Sequence, residues 1–474
     1  MSQNNLDYIF KAKSVAVVGV SNKPGATALG GGLYLQHLLN CGFAGNIYPV
    51  NPKGGEVSNL KIYTSLKEIP EPVDFVICCI ALKFVIPLIE ECIATNAKAL
   101  HIYTAGFSEY GTEEGKVLEE KMSSLARESG LRIIGPNCLG VYCPEAGLAF
   151  DNDVPTDSGT VGFVTQSGGN ATTLIREASI RGIRFSKVVS YGNGCDVNES
   201  DLIEYLSHDP DTDVITVYIE GVKDGARFCE VLREATKKKP IIMLKGGIGE
   251  AGARAVVSHT GSLAGSDQVW SALFKQFGIV RVHSLEELID MATTFAHLPK
   301  LSGNNVGLLC TGGGASVLAT DICSTQGLDV PRFPKEMRDT LASFSMRGGV
   351  GLCLGNPVDL SGEVWSMTYD CAKTMLEYPG IDIMISQVTL SVYRNFFDGI
   401  YDRIINSVDE LIRATKDSQK PNVLVVPMPI SDETYRVATE CRRKCHDAGI
   451  PVYNSLTSAA KSIAAFIDYH DNEK

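Results

Sequence analysis

The feature that most constrains the fold of this chain is a repeated cycle of a short apolar stretch, a glycine-rich turn and a segment long enough for a helix. From Ser14 onward, the apolar stretches of the first series are SVAVVGV, NIYPVNP, VDFVICCIA, KALHIYTAG and LRIIGPN. Their apolar residues are continuous rather than alternating, which is typical of strands that are buried on both faces in a parallel sheet covered by helices. The first series therefore predicts an open α/β domain over residues 1–150.

The same cycle restarts twice. After the polar, turn-rich stretch FDNDVPTDSGT, the apolar stretches VGFVTQSGG, FSKVVSYG, VITVYIEG and PIIMLKGG predict a second domain over residues 158–298. A third series begins at LSGNNVGLLCTGGG and predicts a domain over residues 303–474. The length of 474 residues agrees with three domains of roughly 150 residues each. We therefore predict an α/β fold class with three open parallel-sheet domains, the last two being copies of one unit.

Composition excludes several classes of function. A net charge of −12 argues against nucleic acid as the main partner, because a basic stripe is what binds phosphate backbones. No apolar run approaches the roughly 20 residues of a membrane span, and the stretch MSQNNLDYIFKAKS has no apolar core. The 14 cysteines show no zinc-ligand spacing, so we expect reduced thiols and no metal site. These features predict a cytoplasmic protein that binds neither nucleic acid nor membranes.

The stretch GVSNKPGATALGGG, from Gly19 to Gly32, follows a strand and precedes a helix. Glycines allow backbone amides to approach a phosphate, and the start of a helix favours negative charge. The spacing departs from G-x-G-x-x-G, and Pro24 lies where a turn that binds a nicotinamide cofactor stays open. The stretch thus indicates a nucleotide or pyrophosphate site, with an ordinary tight turn as the alternative.

Three further turns follow strands of the first series, with sequences PVNP, TAGFSEYG and GPNCLG. Ligands of open α/β sheets bind outside the carboxyl ends of the strands, so we expect these turns to line the same cleft. Cys138 belongs to the last of them. No histidine nearby in the sequence pairs with it, so we do not expect this thiol to be a nucleophile.

The later domains contain two similar turns and one unusual histidine. TQSGGN and TGGGAS each combine hydroxyl groups and glycines at the start of a helix, which is typical of a phosphate-binding loop. His259 lies in AVVSHTGSLAGS, where small neighbours would let a phosphate approach its ring. The residue types allow a phosphoryl acceptor or a histidine that only hydrogen-bonds its own loop. Glu220, in VYIEGVKDG, is either a carboxylate partner for that ring or an acid that begins a helix.

Seven motifs, taken in order, resemble the α-subunit type of the NDP-forming acyl-CoA synthetases, the superfamily that includes succinyl-CoA synthetase. The resemblance extends from about Ser14 to Ala460 and is carried by GVSNKPG, GPNCLG, FVTQSGG, YIEGVKDG, SHTGSLAG, TGGGASVLATD and NPVDLSG. It implies a Rossmann-like CoA-binding domain followed by two flavodoxin-like domains.

The resemblance also implies specific site residues. His259 would be transiently phosphorylated, and Glu220 would orient its ring. The phosphate would be bound by two loops, made of Gln166, Ser167, Gly168 and Gly169 and of Gly312, Gly313 and Gly314. CoA would be bound by Gly19, Ser21, Asn22, Lys23, Pro24, Asn51, Pro52, Thr104, Ala105, Gly106, Pro136, Asn137 and Cys138.

The activity implied by the resemblance is the ligation of a small carboxylic acid to CoA with ATP, through an acyl phosphate. No segment resembles the ATP-grasp domain that phosphorylates the histidine in this family. We therefore expect a separate β subunit, in an α2β2 assembly, that binds ATP or ADP with Mg²⁺. The alternative is a non-catalytic CoA-binding protein with a regulatory or scaffold role. An NAD-dependent oxidoreductase is disfavoured, because G-x-G-x-x-G is missing and the second strand ends at Asn51 rather than at an acid.

Overall fold

The structure is a computed structural model that describes residues 6–21, 30–252, 254, 266–345, 353–360, 364–390 and 399–472. These residues form two compact units. The first contains residues 1–179 and 184–288, and the second contains residues 180–183 and 289–474. Two large sheets lie in the first unit and one in the second.

The first sheet has five parallel strands in the order β2-β1-β5-β6-β7. A small antiparallel pair, β3 and β4, follows β2. The strands are β1 (Ser14–Val18), β2 (Asn46–Val50), β3 (Gly55–Val57), β4 (Leu60–Ile62), β5 (Phe75–Cys78), β6 (Ala99–Ile102) and β7 (Arg132–Ile134). The helices are α1 (Asp7–Phe10), α2 (Gly31–Asn40), α3 (Val85–Ala94) and α4 (Glu113–Ser129).

Burial explains why the central strands read as continuous apolar runs. Every residue of β1, β5 and β6 is buried, which is what helices on both faces of a parallel sheet require. The edge strand β2 begins exposed at Asn46 and becomes buried only at Pro49 and Val50. The predicted open parallel sheet of the first series is therefore confirmed.

The second sheet has six strands in the order β13-β12-β11-β9-β10-β8. All neighbours are parallel except β8, which runs antiparallel to β10. The strands are β8 (Gly140–Tyr142), β9 (Val161–Thr165), β10 (Phe185–Ser190), β11 (Val214–Ile219), β12 (Ile241–Lys245) and β13 (Val280–Val282). The helices are α5 (Gly168–Ile180), α6 (Glu199–His208), α7 (Gly225–Ala235), α8 (Asp267–Phe277) and α9 (Leu285–His297).

The strand β8 comes from the sequence predicted for the first domain, yet it completes the second sheet. Its residues pair with β10 from Gly140 opposite Ser190 to Tyr142 opposite Val188. The chain thus passes from the first sheet into the second at β8 within one compact unit, which brings the turn before β8 next to the turns of the second sheet. The domain boundary at residue 150 stays a prediction.

The third sheet, in the second unit, has six strands in the order β15-β16-β14-β17-β18-β19, with only β15 antiparallel to its neighbour. Apolar clusters cover both of its faces. The strands are β14 (Val306–Cys310), β15 (Cys353–Leu354), β16 (Val358–Asp359), β17 (Ile383–Gln387), β18 (Asn422–Val425) and β19 (Val452–Tyr453). The helices are α10 (Gly313–Thr325), α11 (Lys335–Ser343), α12 (Val364–Glu377), α13 (Ile400–Ser418), α14 (Asp432–Asp447) and α15 (Leu456–Asn472).

The predicted fold class of three open, essentially parallel sheets is confirmed. The 14 cysteines are free thiols. Within the described ranges, no helix combines the length and apolar character of a bilayer span, and no cluster of three or more histidine, cysteine or acidic side chains could bind a metal ion.

Candidate active site

A cavity of about 360 Å³ in the first unit lies where strands of the first two sheets end. It brings together two of the turns expected to bind CoA, at Thr104 and at Asn137, and the first loop expected to bind phosphate. The other described residues predicted to bind CoA do not line it: Gly19, Ser21, Asn51, Pro52, Gly106 and Pro136. The residues that line it are Tyr103, Thr104, Ala105, Asn137, Cys138, Leu139, Gln166, Ser167, Gly168, Gly169, Gly192 and Asn193.

The first predicted phosphate loop forms the start of α5. Thr165 Oγ1 accepts a hydrogen bond from Ser167 N at 3.1 Å, and Ser167 Oγ accepts one from Asn170 N at 3.3 Å. A Cβ atom added at Gly168 would lie 2.8 Å from Leu139 Cγ, whereas one added at Gly169 would meet nothing closer than 4.0 Å. The helix start is therefore packed at Gly168 and open at Gly169, and an open helix start favours an anion.

Glu220 directly follows β11 and is 5% exposed. Its backbone N donates to Gln166 Oε1 at 2.5 Å, and its carboxylate oxygen Oε1 accepts a hydrogen bond from Tyr218 Oη at 3.1 Å. Burial, followed by the nearby charge of Glu220, raises the pKa of Tyr218. The structure thus joins Glu220 directly to Gln166, the first residue of the predicted phosphate loop.

Lys245 at the end of β12 is a residue of this region that the sequence did not indicate. Its Nζ donates to Glu220 O at 2.8 Å and also to Gly246 O. The ammonium lies 5.2 Å from the ring centroid of Trp270. Burial lowers the pKa of Lys245 to about 8. Its role could not be seen in the sequence because it depends on β12 being the neighbour of β11 in the sheet.

The two turns predicted to line the path of the CoA thiol contact each other. Asn137 N donates to Thr104 O at 3.1 Å, and Thr104 Oγ1 donates to Ile80 O at 2.6 Å. Pro136 follows a cis peptide bond, and Asn137 has a φ of 58°. Gly106 N donates to Glu109 Oε1 at 2.6 Å, so this amide is already satisfied within the protein. Ala105 and the turn around Asn137 line the cavity, whereas Gly106 does not.

Cys138 is buried, and burial raises the pKa of its thiol, which favours the neutral form. This agrees with the interpretation that Cys138 is not a nucleophile. Its carbonyl oxygen lies 3.1 Å from His101 Nε2, and burial lowers the pKa of His101 to about 4. Tyr34 Oη donates to Leu139 O at 2.8 Å. Two side chains from the first sheet and its helices, neither of them indicated by the sequence, therefore hold this turn.

Charged and amide side chains form a network beside the cavity. Asn193 Nδ2 donates to Glu109 Oε2 at 2.6 Å and to Glu119 Oε2 at 2.8 Å. Lys223 Nζ donates to Glu119 Oε1 at 3.0 Å. Asn193 and Glu119 are buried, whereas Lys223 lies at the exposed edge of the network. The network therefore links the turns of the first sheet to those of the second sheet.

The first glycine-rich turn is closely packed. Gly19 has a φ of 102°, and a Cβ atom there would lie 2.2 Å from the carbonyl oxygen of Cys79. Asn51 Nδ2 donates to Val20 O at 2.7 Å, and Asn51 Oδ1 accepts from Lys53 N at 3.0 Å. The Asn51 side chain thus shapes the predicted CoA-binding turn. In the sequence, Ser21 directly follows Val20 and Pro52 directly follows Asn51.

Four predicted site residues, Asn22, Lys23, Pro24 and His259, lie outside the described residues. The second predicted phosphate loop, Gly312, Gly313 and Gly314, belongs to the second unit. There, Asp359 Oδ1 accepts a hydrogen bond from Gly312 N at 2.7 Å. A buried carboxylate therefore already satisfies one amide at the start of α10, while a Cβ atom at Gly314 would meet nothing within 4 Å. The sequence did not indicate this role of Asp359.

Glu199, in the first turn of α6, is a buried acid whose ionisation should change the free energy of unfolding. Burial raises the pKa of its carboxyl to about 7. The folded state therefore keeps a proton that the unfolded chain loses near pH 4.3, so the free energy of unfolding should fall as pH rises from about 4.5 to 7. We expect Glu199→Gln to remove this decrease and to stabilise the protein above pH 7 by about 1–3 kcal/mol.

Urea denaturation at a series of pH values measures this effect. The exposed Glu230 on α7 supplies the matched control, since Glu230→Gln should keep the wild-type dependence on pH. Parallel stability curves for wild type and Glu199→Gln between pH 4.5 and 7 would contradict the prediction.

Comparison with known proteins identifies the family. A family model described as "CoA binding domain" matches residues 13–144, and one described as "Succinyl-CoA ligase like flavodoxin domain" matches residues 158–295. The α subunit of ADP-forming acetate–CoA ligase I of Pyrococcus furiosus is 37% identical over 471 residues, covering 97% of each chain. The α subunit of ligase II from the same organism is 36% identical, covering 98% of each chain.

A solved structure shows the same fold. Acetyl-coenzyme A synthetase 1 of Ca. Korarchaeum cryptofilum, in complex with phosphate and ADP, aligns with a TM-score of 0.84 at 29% identity. The alignment covers 99% of this chain and 98% of that one. The full-length similarity to the Pyrococcus proteins confirms the resemblance found in the motifs. The chain belongs to the family of ADP-forming acyl-CoA ligase α subunits.

Proposed function

We propose that the chain is the α subunit of a ligase that converts a carboxylic acid, CoA and ATP into acyl-CoA, ADP and phosphate. The observation that carries this proposal is a cavity in the first unit that joins the predicted thiol path at Thr104 and Cys138 to the helix start at Gly168 and Gly169. The 37% identity to an acetate–CoA ligase α subunit over nearly the whole chain supports it.

A carboxylate is a poor electrophile toward a thiol, because its oxygen is a poor leaving group. In the proposed reaction a phosphoryl group on His259 solves this problem. A carboxylate oxygen of the substrate attacks the phosphorus atom, the new O–P bond forms and the N–P bond to His259 breaks. The CoA thiol then attacks the carbonyl carbon of the acyl phosphate, the C–S bond forms and the C–O bond to phosphate breaks. The thiol proton leaves with the phosphate.

The described residues fit these anionic groups. The start of α5 is open at Gly169, where an added Cβ atom would meet no atom closer than 4.0 Å. Amide dipoles let a protein with a net charge of −12 bind phosphate groups, since local dipoles dominate at contact distance. Glu220 would orient the His259 ring. The turns at Gly19, Ser21, Asn51 and Pro52, together with Asn22, Lys23 and Pro24, would bind the nucleotide end of CoA.

The partner in this proposal is a separate β subunit with an ATP-grasp domain that binds ATP or ADP with Mg²⁺, in an α2β2 assembly located in the cytoplasm. The relatives are named as α subunits, which supports a partner chain. The two later domains, over residues 158–298 and 303–474, would supply the two phosphate loops, and the domain over residues 1–150 would bind CoA.

The test compares the purified chain with the chain co-expressed with its β subunit. ADP formation from ATP is measured with CoA and a panel of acids that includes acetate, a branched short-chain acid and an aryl acid. We expect turnover only for the two-subunit protein and only when both CoA and an acid are present. A two-subunit protein that binds CoA yet forms no ADP with any acid would contradict the proposal and favour a non-catalytic CoA-binding role.

A further inference from the structure

Gln166 lies between the end of β9 and the start of α5, and it is 6% exposed. Its side-chain oxygen Oε1 accepts two backbone hydrogen bonds, from Glu220 N at 2.5 Å and from Gly221 N at 3.2 Å. Two N–H donors at one atom fix the orientation of the amide, because only the carbonyl end can accept them. The oxygen of Gln166 is therefore already used within the protein, and only Nε2 can donate to a ligand in the cavity.

The hydrogen bonds of Gln166 continue the sheet's ladder past its last backbone–backbone hydrogen bonds. In the sheet, β11 lies between β9 and β12. The last backbone bonds run from Gln166 N to Tyr218 O and from Gly246 N to Ile219 O. At the next residue of this strand end, Glu220, side chains take the place of backbone partners. Gln166 Oε1 accepts from the backbone N of Glu220, and Lys245 Nζ donates to the backbone O of Glu220 at 2.8 Å.

The peptide groups on both sides of the Glu220 Cα atom are thus held by side chains from the two neighbouring strands. Such contacts fix the position of Cα, and the Tyr218 hydroxyl at 3.1 Å fixes the direction of the carboxylate. Gln166 also immediately precedes Ser167, so the same residue links the phosphate loop to the strand end that carries the carboxylate.

We propose that Gln166 is a positioning residue that acts through Glu220: its carbonyl oxygen tethers the Glu220–Gly221 backbone and sets the Glu220 carboxylate relative to the start of α5. This inference rests on the proposed function, in which Glu220 orients the phosphorylated histidine. It assigns to Gln166 a role different from that of a direct phosphate ligand. A displacement of about 1 Å at a catalytic group can lower the rate by about 100-fold.

The first measurement tests whether Gln166 holds the Glu220–Gly221 backbone, and it does not depend on enzyme activity. Hydrogen exchange by mass spectrometry is followed in peptides that contain Glu220 and Gly221. We expect Gln166→Met to speed exchange there by at least about tenfold, and Gln166→Glu, which keeps an acceptor oxygen, to restore protection. Thr216→Val is the matched control, because it removes a buried hydroxyl bond of 2.8 Å to Gly162 O in the same sheet without touching Glu220. Unchanged exchange in Gln166→Met would overturn the proposal.

The second measurement is a double-mutant cycle on the two-subunit protein, with the rate of acid-labile phosphoenzyme formation from γ-labelled ATP as readout. Gln166→Met is expected to lower the rate by about 100-fold in the wild-type background. In the Glu220→Gln background it should lower the rate by less than about threefold, since both changes remove one interaction. Equal losses in the two backgrounds would overturn the proposal and assign Gln166 to direct phosphate binding.

Two checks separate the possible failures. Circular dichroism confirms folding, and Gln166→Ser replaces Gln166→Met in both measurements if the latter unfolds. A wild-type two-subunit protein that forms no phosphoenzyme would overturn the proposed function and, with it, the positioning role of Gln166 in that reaction. In that case rapid exchange in the Gln166 variant would still show that the tether itself exists, so the two failures are distinguishable.

Discussion

Asparagine in place of His259 is expected to abolish formation of the phosphoenzyme and to lower ligase turnover by at least about 10⁴-fold. The reason is chemical, because a side-chain amide has no basic nitrogen that could accept a phosphoryl group. Without that step the substrate carboxylate keeps a poor leaving group, so the thiol has no activated carbonyl to attack. Binding of CoA should persist, since the predicted CoA-binding residues belong to other segments of the chain.

The measurement uses γ-labelled ATP and the two-subunit protein, with label scored as acid-labile and base-stable protein phosphate. The exposed His283, in the turn after β13, supplies the control. His283→Asn should keep both label and turnover. Full labelling of His259→Asn would place the phosphoryl group on another residue and contradict the proposed reaction. Calorimetric titration with CoA verifies that the inactive variant is folded.

The second large effect is expected at Gly19. A φ of 102° is a conformation that residues with a side chain rarely adopt, and the added Cβ atom of Gly19→Ala would lie 2.2 Å from the backbone oxygen of Cys79. Neither β1 nor the strand end at Cys79 can move without breaking the bond from Cys79 N to Val18 O at 2.9 Å. We expect the first unit to lose at least about 4 kcal/mol of unfolding free energy and the chain to lose CoA binding.

Gly42 provides the matched control, because its φ is 73° and a Cβ atom there would meet nothing within 4 Å. Gly42→Ala should cost only about 1–2 kcal/mol, which is the penalty of the left-handed backbone alone. Denaturant unfolding followed by circular dichroism measures both variants, and titration with CoA measures binding. Equal destabilisation by the two substitutions would show that the contact with Cys79 is not what fixes the turn.

Much of the fold could be predicted from the sequence, because strands buried on both faces leave a local signal. The run SVAVV became β1, in which every residue is buried, and the runs of the later series became the strands of two further sheets. The motif order identified the family. The roles of the individual site residues stay predictions, and the most important of them, His259, lies outside the described residues.

Other parts of the site could not be predicted, because they depend on which strands are neighbours. Lys245 reaches the carbonyl of Glu220 because β12 lies beside β11, although 25 residues separate the two positions. Asn193 bonds Glu119 across 74 residues. Asp359 satisfies the amide of Gly312 across 47 residues. No local pattern distinguishes these side chains from ordinary polar residues at the ends of strands.

Local composition alone determined that this chain forms three parallel sheets with glycine-rich turns at the carboxyl ends of their strands, because apolar continuity and turn chemistry act over a few neighbouring residues. Tertiary structure alone decided that β8 joins the second sheet and that side chains continue the ladder on both sides of Glu220. Hydrogen bonds between distant residues form only after the strand order is set, and that order is a property of the packed sheet rather than of any segment of the sequence.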